Sequence, residues 1–255
     1  MQQNNPYKFT YIIAYKNRPD RLMNLRRVID WVSGFVGIEL IIIEQDRKPQ
    51  IENLVFSRPI KYLFLQTDMP FNKAWAFNVA AKQATTDTII FGDSDLIMDP
   101  NDFIEGLKIL ESNDCVSPYN RVIDLKQEEL GFNLDQMKAI DRPGRGETDI
   151  QKICLSGGII MYKRSALEKI GGWAEDFIGW GGEDDAQSYK SEKLLKCIEA
   201  PAKCYHLWHQ PEQPIMALYQ RNLQILNQIK QMDEANLLRY IGNSVGKAGL
   251  KNRLN

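Results

Sequence analysis

At 255 residues the chain can form one large α/β domain or two small ones and bury a substantial core. Its composition, 44% hydrophobic and 25% charged, excludes a disordered or fibrous protein. A formal net charge of −1 argues against nucleic acid as the main partner, because gripping a phosphate backbone relies on an excess of Lys and Arg.

The predicted elements alternate. Phe9–Ala14 is a short apolar run that reads as a buried strand, and Pro19–Ser33 carries Leu22, Leu25, Ile29 and Val32 at helical spacing. Strands follow at Glu39–Glu44 and Lys61–Leu65, an alanine-rich helix at Asn72–Ala84, and a strand at Thr88–Phe91. A helix at Asn101–Ser112 and a short strand near Cys115–Val116 close the first half. From Tyr119 to Lys152 the chain turns polar and reads as a long surface excursion. Strand character returns at Gly157–Met161, a short helix spans Ser165–Ile170, and a further helix covers Asp184–Lys193. Strands near Leu195–Ile198 and Cys204–Leu207 precede a final helix with Ile215, Leu218, Asn222, Ile225 and Ile229 on one face. Such alternation predicts a mostly parallel sheet covered on both sides. We divide the chain into a main domain, 1–212, and a C-terminal helical extension with a polar tail, 213–255.

Cys115, Cys154, Cys197 and Cys204 form no CxxC pair, so they read as reduced thiols. No apolar stretch approaches the ~20 residues needed to span a bilayer, and Met1–Lys8 lacks the apolar centre of a signal peptide. The expectation is a cytoplasmic protein, of bacterial type, with peripheral membrane association as the alternative.

In parallel sheets ligands bind beyond the carboxyl ends of the strands. Three polar clusters lie there by sequence order: Tyr15 to Arg18, Gln45-Asp46, and Asp93-Ser94-Asp95. Two aspartates one residue apart on a turn reach a divalent cation directly or through water, although Asp is also common in turns for its own backbone contacts. His206 and His209, the only histidines, stand three residues apart and can converge on one metal. Either of them equally suits the aromatic surroundings of Tyr205 to Trp208. A carboxylate with imidazoles and phosphate oxygens suits Mn2+ best, with Mg2+ as the alternative. The third cluster is Gly179-Trp180-Gly181-Gly182-Glu183-Asp184-Asp185. Three adjacent acids repel unless they meet a cation, a proton or a helix N-terminus, and a carboxylate beside a hydroxyl can act as general base. The plainer reading is a solvated, acidic helix start.

Trp180 to Asp185 resembles the signature of the β-1,4-galactosyltransferase family and related GT-A enzymes, including chondroitin-polymerase-type N-acetylgalactosaminyltransferase domains. Tyr15 to Leu22, Phe71 to Ala74 with Asn78, Phe91 to Ile97, and Gly157-Gly158 with Gly171-Gly172-Trp173 are similar to the family's other motifs, in order. The resemblance implies a GT-A fold, Rossmann-like, with helices on both faces of a mixed, mostly parallel sheet. It implies Asp95 and His209 as metal ligands, with His206 where galactosyltransferases carry a methionine. Lys16, Arg18 and Phe71 would hold UDP and Asp93 the ribose or donor sugar; Tyr15, Asp46 and Ser94 join the UDP group through their strand-end positions. Trp180 would cover the donor, Glu183 would bind sugar hydroxyls, and Asp184 would be the base. Gly181, Gly182, Asp185 and Gly158 complete the sugar-binding candidates. Two departures stand out: Lys16 replaces an arginine, and Ala186 stands where the family often has a third aspartate. The activity implied is inverting, Mn2+-dependent transfer from a UDP-sugar to a saccharide acceptor. A non-catalytic nucleotide-sugar-binding partner and a glycoside hydrolase are the alternatives.

Overall fold

The computed structural model describes residues 6–54, 56, 59–145, 157–211 and 213–244. Cys154, the end of the polar segment from 146 onward, and the basic residues Lys247, Lys251 and Arg253 lie outside them.

Strands β1 (Thr10–Tyr15), β2 (Glu39–Asp46), β3 (Lys61–Gln66) and β4 (Thr88–Gly92) run parallel, with helices α1 (Pro19–Ser33) and α2 (Lys73–Ala81) between them. After β5 (Leu96–Met98) and α3 (Pro100–Leu110) come β6 (Cys115–Ser117) and β7 (Arg121–Asp124), then a 3-10 turn (Gln127–Glu129) and a short helix α4 (Leu134–Lys138). The rest comprises β8 (Ile160–Lys163), α5 (Arg164–Lys169), α6 (Glu183–Leu194), β9 (Cys197–Glu199), β10 (Lys203–His206), α7 (Met216–Lys230) and α8 (Glu234–Ser244). Seven strands form one sheet in the order β3-β2-β1-β4-β8-β6-β9, in which only β8 runs against its neighbours. A second, three-stranded sheet has the order β5-β10-β7.

Strand β1 is buried on both faces because it lies inside the sheet. Its alternate side chains divide between two cores. Tyr11, Ile13 and Tyr15 join Leu25, Val28 and Ile29 of α1 and Phe103 of α3. Ile12 and Ala14 join Ala74 and Phe77 of α2, Trp173, and residues of α6, α7 and α8. Chain order reverses between β1 and β4: β2 and β3 are added on one side of β1, β4 on the other. The crevice beyond these two strand ends is where open α/β sheets bind ligands, and Lys16 to Arg18 and Asp93 to Asp95 emerge there.

Two expectations are corrected. The polar stretch after Tyr119 is not a loose surface excursion within its described part: most of its residues are at least partly exposed, but Tyr119, Ile123, Leu125 and Met137 are buried and anchor it. Strand β7 pairs in parallel with β10, about eighty residues away in sequence, a long-range pairing that local polarity does not reveal. In the C-terminal extension a second helix, α8, follows α7 and buries Leu237 and Ile241. The inner face of α7 is Asn222, Leu226 and Ile229, while Ile215 is an exposed N-cap. Cys115, Cys197 and Cys204 are free thiols. Among the described residues no helix is long and apolar enough to cross a membrane.

Candidate active site

One cavity of about 1020 Å3 opens at the reversal of strand order. Its floor is the turn after β4. Strand β5 follows that turn at once, and its antiparallel pairing with β10 sets His206 opposite Leu96, next to Asp95. The chain then places His209 on the same carboxylate: its Nε2 lies 3.3 Å from Asp95 Oδ2, and His206 Nε2 lies 3.8 Å from it. Ligand atoms of all three side chains fall within 4.8 Å of one another. Leu207 N–H donates to the Asp95 carbonyl at 2.7 Å, fixing the two segments together.

The donor chemistry fits a divalent metal. His209 Nδ1 lies 3.0 Å from the Gln210 carbonyl, which only accepts, so Nδ1 carries a proton and Nε2 faces Asp95. His206 Nδ1 faces the Asp124 carboxylate at 3.0 Å, with the same consequence. One buried carboxylate oxygen and two imidazole nitrogens thus point at a common space. The hydrogen bond to Asp95 raises the pKa of His209. Burial opposes ionisation of Asp95, but the His209 hydrogen bond with the charges of His206 and Arg21 outweighs it and holds its pKa below the usual range.

In the same cavity, Gly182 at φ +90° turns the chain into α6, whose first turn is Glu183, Asp184 and Asp185. A helix N-terminus favours negative charge, which is why these acids tolerate one another here. Gly157, at φ +98°, leaves room for Asp184: a Cβ there would lie 2.6 Å from its Oδ2. Lys73, the first residue of α2 after the N-cap Asn72, reaches between the acids. Its Nζ lies 2.8 Å from the Asp184 carboxylate, 3.4 Å from Asp93 and 3.6 Å from Glu183. Burial pushes the pKa of Asp184 up to about 7, Glu183 and Asp93 add to this, and Lys73 opposes it. Burial works against the Lys73 charge, yet Asp184, Asp93 and Glu183 outweigh it and hold its pKa well above the ordinary value. Asp184 keeps 27% of its side-chain surface open, so a hydroxyl in the cavity has access to it.

Two models of known families match. Residues 11–171 match the model described as glycosyl transferase family 2, about two thirds of the chain. The chain belongs to glycosyl transferase family 2. Residues 148–209, including both the acidic turn and the histidines, match a second model, the N-terminal domain of galactosyltransferase. Among curated proteins none matches in sequence. Solved structures match in fold. GalNAc-T7 with UDP, GalNAc and Mn2+ superposes with a TM-score of 0.63 at 14% identity, covering 95% of this chain and 55% of that one. TarS 1–349 of S. aureus gives 0.60 at 13% identity, covering 93% and 71%. The catalytic domain of Drosophila β1,4-galactosyltransferase 7 with xylobiose gives 0.51 at 13% identity, covering 89% and 82%. This family 2 chain thus spans about half the length of the first of them. The expected GT-A architecture is the observed one.

Most of the residues singled out from the sequence face this cavity: Lys16, Arg18, Phe71, Asp93, Ser94, Asp95, Gly158, Trp180, Glu183, Asp184, Asp185, His206 and His209. Four do not line it. Tyr15 is buried in the core with its hydroxyl on Asn17. Asp46 ends β2, where its carboxylate accepts from Arg47 N–H at 2.7 Å. Gly181 and Gly182 form the turn behind Trp180, against Tyr219 and Phe177. The Trp180 ring is 60% exposed and leans on Tyr219 of α7 at 5.4 Å. The roles of Lys73, Arg21, Asp124 and Arg145 were missed. Lys73 and Arg21 had a signal, because they stand within the Phe71 to Ala74 and Tyr15 to Leu22 motifs; Asp124 and Arg145 had none, because the groups they meet are remote in sequence.

Proposed function

We propose that this chain is an inverting glycosyltransferase that moves a hexose or N-acetylhexosamine from a UDP-sugar to a saccharide hydroxyl, with Mn2+ as its metal. The observation that carries the reading is the convergence, in one cavity, of a three-residue metal-type donor set and a carboxylate with a raised pKa. Family 2 membership supports it. So do the ligands of two neighbours in fold: UDP, GalNAc and Mn2+ with GalNAc-T7, and UDP-GlcNAc with TarS.

In this reading Asp95, His206 and His209 hold the ion, which when bound neutralises charge growing on the departing diphosphate. Lys16, Arg18 and Phe71 grip the nucleotide, with Tyr15 and Asp46 at the neighbouring ends of β1 and β2, and Asp93 and Ser94 border the ribose and donor sugar. Trp180 covers the donor while Glu183, Asp185 and Gly158 border the sugars; Gly181 and Gly182 set the angle of that loop. Asp184 takes the proton of the acceptor hydroxyl as its oxygen bonds to the anomeric carbon. UDP leaves from the opposite face, so configuration inverts. Residues 1–212 form the transferase domain, and α7 and α8 complete it by packing against α6 and Trp180.

A panel of UDP-sugars offered with Mn2+, with and without a chelator, tests this. UDP release that requires both the metal and a saccharide acceptor is the expected result. Release of sugar from a glycoside without nucleotide, or nucleotide binding with no turnover on any acceptor, overturns it.

A further inference from the structure

Resting on the metal reading above, we propose that Asp124 is a positioning residue that sets the tautomer and ring orientation of His206 for metal binding, and that Arg145 locks Asp124 in place. In the parallel pairing of β7 with β10, Asp124 lies beside His206, and its Oδ1 sits 3.0 Å from His206 Nδ1. A carboxylate at that nitrogen holds the ring proton on Nδ1 and leaves Nε2 facing Asp95, 3.8 Å away. Arg145 approaches the same carboxylate with both arms, Nε to Oδ2 and Nη2 to Oδ1, each at 2.8 Å. That fork fixes the plane of the carboxylate as well as its position. Arg145 is itself held by paired backbone hydrogen bonds with Val122, 3.1 and 2.8 Å long.

Stability gives little reason for the outer pair of this series, Arg145 and Asp124. The Arg145 and Asp124 side chains are 62% and 49% exposed, and an ion pair so open to solvent adds little to folding. His209 gets the same service from the Gln210 carbonyl, so the two imidazoles are oriented by unlike acceptors. Only the one on His206 is removable by substitution of a side chain.

The chain has only two histidines, so their ring nitrogens are readily resolved in protein labelled with 15N-histidine. In metal-free wild-type protein at about pH 8, above the ordinary imidazole pKa, His206 should show the Nδ1–H tautomer. In Asp124→Ala it should shift toward Nε2–H, the form favoured in free imidazole side chains. Mn2+ alone, titrated by the loss of its free-ion electron paramagnetic resonance signal, should bind the variant ~10–100-fold more weakly, the usual effect of losing such an outer partner. Asp124→Asn, whose amide oxygen still accepts, should retain the wild-type tautomer and bind Mn2+ between the two, and it carries the test if the alanine variant does not fold. In Asp124→Ala, an unchanged tautomer, or a shifted tautomer with wild-type Mn2+ affinity, overturns the proposal; in Asp124→Asn, a lost Nδ1–H tautomer or wild-type Mn2+ affinity does. Wild-type protein that leaves the Mn2+ signal unaltered overturns the metal reading beneath it.

Discussion

Asp184 and Lys73 set the chemistry of the acidic wall at the scale of single residues. A general base must be ionised, and burial raises the pKa of Asp184 to about 7, so kcat/KM should fall as pH drops through that value. Lys73 is the group that opposes this rise. In Lys73→Met the acid limb of the pH profile should therefore move to higher pH, and a limb that stays in place would remove Asp184 from the role of base. Asp184→Asn should keep UDP affinity, measured calorimetrically, and lose ~10²–10⁴-fold in turnover, the range typical of a general base.

At the scale of elements, the site depends on where turns and helix ends meet. Gly157 precedes β8 at a positive φ, and Asp184 opens α6; the two touch because the first has no side chain. Gly157→Ala combines a disfavoured backbone with a displaced carboxylate. A displacement of about 1 Å can cost ~10²-fold in rate, and kcat should carry the loss while nucleotide binding holds. Asn222 of α7 does related work from below. Fully buried, its amide donates to the Ile178 carbonyl at 3.0 Å and to that of Trp180 at 3.4 Å. Asn222→Leu leaves those carbonyls unpaired, so it should cost about 1–3 kcal/mol of stability by denaturant unfolding. It should also loosen the Trp180 loop, visible as faster quenching of tryptophan fluorescence. Here the loop and the helix that supports it were both legible in sequence, but their contact was not. The expected face of that helix included Asn222 and Ile229 but also Ile215, which is the exposed N-cap, and it left out the buried Leu226.

Across the whole molecule, two cores share one sheet, and the second is closed by α7 and α8. Leu226, Ile229, Leu237 and Ile241 are all buried there, worth ~1.5–3 kcal/mol each by area. Their sum rivals the ~5–15 kcal/mol by which a domain is stable, so a chain ending at residue 212 should fail to fold cooperatively in a thermal melt. Lys190 lies in the same region, with its ammonium on the Gly172 carbonyl and its pKa lowered by burial to about 7 from 10.5. Between those values the unfolded chain binds more protons than the folded one, so stability should rise as pH increases from about 7 to 10. Lys190→Met should flatten that slope and raise the melting temperature at neutral pH.

The parallel strands and first helices were readable because each carries its own periodicity: Pro19–Ser33 was bounded to the residue, and β1 to β4 within one or two. Glycines, acids and histidines crowded into short motifs likewise marked Trp180 to Asp185, Asp93 to Asp95, and His206 with His209 as places for chemistry. Distance in space was another matter. The pairing of β10 with both β5 and β7 brings Asp95 and Asp124 to His206 from 111 and 82 residues away, and neither separation leaves a trace in local pattern. Local sequence determined which elements form and which residues carry reactive groups, because backbone propensity and side-chain chemistry act over a few residues. Tertiary structure alone decided which charges are buried together and which carboxylate has its pKa raised toward neutral pH, because both depend on the surroundings of a folded cavity.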